Sequence, residues 1–144
     1  MTVVVDPSFV LGLYAAGDPG HARAAELYAR LDEELVTTPL AVAELERLIT
    51  ARWGKEHLVP LLADLDSGAV TVRWWSTAMA ETVALARERP VLGLTGASLI
   101  ALAPVARTSR IATLAPDTFS AERTRDGEPY VLLPDPPSKE PQTP

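Results

Sequence analysis

Two carboxylates stand where the chain should be apolar. Thr2, Val3, Val4 and Val5 form a β-branched run that leads directly into Asp6, and Pro7 and Ser8 follow it. Such a run reads as a buried strand and Pro7 as a helix start, so Asp6 is either a helix cap or an acid placed for chemistry. Glu44 is the second. In the helix that Thr38 and Pro39 should open, Leu40 and Leu48 lie four residues on either side of Glu44, which puts its carboxylate on an apolar stripe. A carboxylate there is costly unless it is paired, protonated or bound to a cation, and Arg47 at i+3 is the structural alternative. Two carboxylates converging on one crevice could hold a divalent metal ion, which polarises phosphate esters and activates water.

The other common chemistries are poorly served. The chain has no cysteine, hence no thiol nucleophile, disulfide or cysteine-based zinc site, and its two histidines, His21 and His57, lack metal-ligand spacing. A phospho-receiver would share the strand-end Asp but needs a lysine at the end of a late strand. The only lysines are Lys55 and Lys139. A net charge of −6 speaks against indiscriminate duplex binding but is compatible with a nuclease whose own site is acidic. Eleven of the 13 basic residues are arginine, and since none forms a basic block they read first as solvated helix faces. Trp74 and Trp75 could stack on bases, although paired aromatics at a strand end more often pack a rim.

A chain of 144 residues with 47% hydrophobic residues is long enough for one buried core, and no apolar run would span a bilayer. A cytoplasmic protein is expected. Short strands are expected at 2–6, 35–37, 69–74, 110–114 and 130–133. Helices should run over 9–15, 21–31, 39–53, 56–66 and 76–89, with a further one capped by Thr95 and running from Gly96 to about Ala103. Met79, Val83 and Ala86 share one face of the helix 76–89, and Pro104 should end or kink the one that follows it. Strands alternating with helices imply a three-layer α/β fold with a mostly parallel sheet of about five strands, whose ligands sit at the carboxyl ends. The domain should span 1–134, leaving 135–144 as a Pro-rich extended tail.

Several segments resemble the PIN domains, and in particular their VapC-type toxin members. Val3-Val4-Val5-Asp6-Pro7-Ser8 is similar to the opening strand with its metal-binding Asp, and Val36 to Leu45 to the segment carrying the family's glutamate, here Glu44. Leu92 to Ala103 is similar to the stretch bearing a third acidic residue, with Gly96 in its place. Arg110 to Ala115 is similar to the strand ending in a fourth, with Ala115 in its place. Asp18 to Ala22 and Asp126 to Pro134 resemble a structural turn and the closing segment, so the likeness covers residues 2–134.

The resemblance implies a PIN fold, a homodimer, magnesium or manganese, RNA as substrate and an antitoxin-like protein partner. Asp6 and Glu44 are the remnant metal and catalytic residues, with Ser8, Arg47 and Arg110 as candidates for touching RNA. Asp117 could replace a lost acid only if the turn after the fourth strand re-aims it, and otherwise reads as a cap for 118–122. Gly96 and Ala115 offer no side-chain oxygen. The first expectation is therefore a degenerate domain, with cation binding weak or absent, that works by binding protein or RNA. The alternative is an active endoribonuclease toxin using Asp6, Glu44 and Asp117.

Overall fold

In the computed structural model, which describes residues 1–135, Thr2–Val5 forms strand β1 at the centre of a five-stranded sheet. Successive side chains of a strand point to opposite faces, so Val3 and Val5 enter one core cluster and Val4 the other. All three are at most 1% exposed. Burying a valine is worth roughly 1.5–3 kcal/mol, which makes β1 the element that ties the two cores together.

Helices α1 (Pro7–Tyr14) and α2 (His21–Arg30) follow, then β2 (Glu34–Thr37) and α3 (Pro39–Trp53). A 3-10 turn, Lys55–Leu58, precedes α4 (Val59–Ser67), so the single helix expected over 56–66 is divided just before Pro60. Next come β3 (Thr71–Val72), α5 (Ala78–Glu88), α6 (Gly93–Val105), β4 (Arg110–Ala112) and β5 (Val131–Leu133). The order across the sheet is β3-β2-β1-β4-β5, and every pairing is parallel. The α/β architecture expected from the sequence is therefore present.

Three further expectations change. β3 keeps two residues because it is an edge strand whose partner β2 ends at Thr37, paired with Val72. Met79 and Val83 are 48% and 38% exposed, and the buried face of α5 is built instead from Ala78 and Thr82. Helix α6 begins at Gly93, not Gly96, after a 3-10 turn over Pro90–Leu92. Gly93 enters it at φ 60°, a conformation that favours glycine, and Thr95 lies inside the helix. Pro104 falls in the last turn, one residue before the helix ends at Val105, so it ends the helix as expected, about two turns beyond Gly96. No helix among the described residues is long and apolar enough to cross a membrane. The expected tail, apart from Asp135, lies outside the described residues.

Candidate active site

Strand β1 delivers Asp6 to the carboxyl edge of the sheet, where its backbone N–H still donates to Ala112 O at 2.9 Å. The side chain caps α1 by accepting from Ser8 N at 3.1 Å. The same oxygen, Oδ2, accepts from the Ser8 hydroxyl and from Thr113 Oγ1 at 3.2 Å. Those hydroxyls are themselves fixed: Leu114 N donates to Ser8 Oγ at 2.9 Å and Ala115 N to Thr113 Oγ1 at 3.0 Å. Asp6 is thus a helix cap and a member of a hydroxyl network that ties β1 to the segment after β4. Burial pushes its carboxyl above the usual range, the hydrogen bonds from Ser8 and Thr113 oppose that, and the charge of Glu44 adds to the upward push.

Glu44 arrives from α3, whose first turn is capped by Thr38 Oγ1 accepting from Ala41 N at 3.3 Å. The core stripe of α3 is Ala41, Leu45 and Ile49, so Glu44 stands at its margin, half-buried, with Leu48 one turn further. Arg47 is exposed and forms no ion pair with Glu44 among the described residues, leaving that structural explanation without support. Asp6 and Glu44 line one cavity of about 390 Å³. Leu48, Leu92, Leu94, Gly96 and Ala115 are among its other walls. This is the crevice at the carboxyl edge of a parallel sheet where such folds hold ligands.

The chain matches the PIN domain family over residues 3–118. It belongs to that family. Over 135 residues it is 30% identical to "Ribonuclease VapC26" of Mycobacterium tuberculosis (strain ATCC 25618 / H37Rv), spanning 92% of this chain and 100% of that protein. Its fold is similar to the crystal structure of Mycobacterium tuberculosis VapC20, described as a Sarcin-Ricin loop cleaving toxin. That likeness has a TM-score of 0.74 at 21% identity and covers 81% of this chain and 92% of the other.

Within this PIN domain the remaining expected positions divide. Gly96 and Ala115 both line the cleft, and Ser8 does so beside Asp6. Asp117 does not: it is exposed in the 3-10 turn Pro116–Thr118, whose neighbours Ala115 and Thr118 face the cavity instead, and its side chain caps nothing there. Arg110 opens β4, so it lies at the amino edge of the sheet, opposite the cleft, and is paired with Glu33. Arg47 is likewise absent from the cavity wall. Among the described residues no group of three or more His, Asp or Glu could share a cation. The two carboxylates still fit the weaker demand of magnesium, which binds through one or two carboxylates completed by water and substrate phosphate.

Sequence reasoning missed the supporting hydroxyls. Thr113 touches Asp6 from 107 residues away. Ser98, fully buried in the otherwise apolar α6, bonds Thr38 Oγ1 at 2.7 Å and donates to Thr95 O, pinning α6 to the start of the helix that carries Glu44. A polar residue inside an apolar helical run was the available signal for Ser98. Glu122 is a further buried carboxylate, 1% exposed, met by Arg89 Nε at 2.8 Å. It lies outside the cleft wall and fastens the end of α5 to the segment after β4.

Proposed function

We propose that this chain is a VapC-type endoribonuclease that acts on single-stranded RNA at the Asp6 and Glu44 cleft. A magnesium or manganese ion would be held by these two carboxylates together with the RNA phosphate. The observation that carries the reading is the pair of carboxylates in one crevice of a PIN fold. Full-length similarity to a protein named as a ribonuclease supports it. When bound, such an ion polarises the phosphate and lowers the pKa of a bound water. The chain's own contribution is positional. Ser8 and Thr113 hold one oxygen of Asp6, which leaves Oδ1 as the oxygen without a protein donor among the described residues. Glu44, half-buried, lines the same cleft, whose apolar walls include Leu11, Leu48 and Leu92. An antitoxin-like protein partner, a homodimer and a cytoplasmic location go with this reading.

A second reading, binding without cutting, is favoured by one specific feature: the opposite wall supplies Gly96 and Ala115, and Asp117 points away. The test is cleavage of single-stranded RNA by the purified full chain with magnesium or manganese, beside an Asp6→Ala control. Slow, metal-dependent cutting that disappears in chelator and in the control is expected. RNA left intact by the unaltered chain, with binding retained, would transfer the assignment to the second reading.

A further inference from the structure

The cleft contains two carboxylates and, among the described residues, no Arg, Lys or His on its walls. A strand of RNA lying there needs its flanking phosphates held elsewhere. Helix α3 leads to such a place. Glu44, Leu48 and Arg52 follow one another at four-residue spacing, which puts them on one stripe of the helix. Eight residues of helix span about 12 Å. Glu44 and Leu48 line the cleft, and Arg52 lines a second cavity, of about 350 Å³, between the end of α1 and the end of α3.

That cavity has a different chemistry. Arg52, Trp53 and His57 all face it, with Tyr14 from α1. The guanidinium of Arg52 lies 4.7 Å from the centroid of the Trp53 ring, and the rings of Trp53 and His57 are 6.5 Å apart at 47°. Asp18 is the anionic partner of Arg52, at 3.5 Å, but the Arg52 side chain is 47% exposed, and an open ion pair of that kind is weak and screened by salt. Arg52 therefore keeps donors for another anion. A guanidinium beside two aromatic rings is the donor set that takes a phosphate and an adjacent base of a single strand.

We propose that Arg52, Trp53 and His57 form a nucleotide subsite that holds single-stranded RNA a short distance along the strand from the phosphodiester at Asp6 and Glu44. The inference rests on the ribonuclease reading and adds the path of its substrate. The strand would run from the acidic cleft along the junction of α1 and α3, with its phosphate on Arg52 and a base against the rings.

Fluorescence anisotropy with a labelled single-stranded RNA, on the full chain in chelator so that nothing is cut, tests it. Arg52→Gln and His57→Ala change exposed side chains. Trp53→Leu keeps an apolar side chain at the half-buried position against the core, and thermal melts of each variant establish that it is folded. Trp53→Leu and His57→Ala should each weaken binding about tenfold, since base stacking on one ring is commonly worth that much. Arg52→Gln should also flatten the dependence of log affinity on log salt by about 0.7, the loss of one phosphate contact on a single strand. An Arg30→Gln control at the exposed end of α2 should bind as the unaltered chain does. Binding and salt slope unchanged in all three variants would overturn the subsite and leave the ribonuclease reading standing. Failure of the unaltered chain to bind RNA in chelator would likewise overturn the subsite, whereas the ribonuclease reading stands or falls on the cleavage assay with metal.

Discussion

The two walls of the cleft differ sharply in what they keep. On the side of β1, α1 and α3, Asp6 and Glu44 are present and Asp6 is aimed by hydrogen bonds from Ser8 and Thr113. On the side of α6 and the segment after β4, the lining includes Leu92, Leu94, Gly96 and Ala115, and its hydroxyls are those of Thr95 and Thr118. Yet Thr113, which belongs to the second side, still reaches across to Asp6, and Ser98 still fixes α6 to the start of α3. Hydrogen bonds order both walls, whereas the carboxylates stand on one. Hydroxyl bonds and core packing hold the second wall in place here without carboxylates on it.

Placing acids on the wall without carboxylates should produce the largest effect. A β-carbon at Gly96 would meet Leu92 Cβ at 3.4 Å and Thr118 Cγ2 at 3.6 Å, so Gly96→Asp needs little adjustment and would stand among cleft residues. Gly96→Asp with Ala115→Asp should raise manganese affinity by more than the roughly 10–100-fold that supporting groups around a metal govern. RNA cleavage should rise with it. Each substitution alone should do much less, because groups that act as one unit are not additive. In chelator the double variant should melt below the unaltered chain, through carboxylate repulsion, and recover with the ion. Equal metal affinity by titration calorimetry in the double variant and the unaltered chain would show that the walls are not in register.

A smaller effect concerns the intact wall. Burial raises the Asp6 carboxyl above its ordinary value of 3.8, so in chelator the folded state holds its proton more tightly than the unfolded state does. The stability this gives is complete below the unfolded value and is lost as pH rises through the folded one. Asn caps a helix as well as Asp and carries no charge, so Asp6→Asn should melt a few degrees above the unaltered chain at neutral pH. The difference should shrink toward pH 4. Thermal melts at both pH values that showed the same difference would remove burial as the cause.

The smallest effect belongs to Arg110, which the comparison places on neither wall. Arg110→Gln should leave RNA cleavage unchanged and cost about 1 kcal/mol of stability through the lost pairing with Glu33. Weakened RNA binding in this variant would draw the amino edge of the sheet into the substrate path.

Much of this molecule was determined within a few residues of sequence. Thr38 followed by Pro39 marks a cap and a first turn, and the helix runs from Pro39 to Trp53 as those signals require. The valines of β1 specify a strand buried on both faces and leave Asp6 at its end, because alternation and chain direction are local properties. The family was legible for the same reason, since its segments keep their order. What the tertiary structure alone decided is which groups meet. Thr113 lies 107 residues from Asp6 and Ser98 lies 60 from Thr38, and no local spacing encodes either bond. Asp117 could have faced the cleft or the solvent, and the one-turn helix after Pro116 sends it outward. Met79 and Val83 show the same limit: helical period identifies a shared face, but only the neighbours packed against α5 determine whether that face is buried.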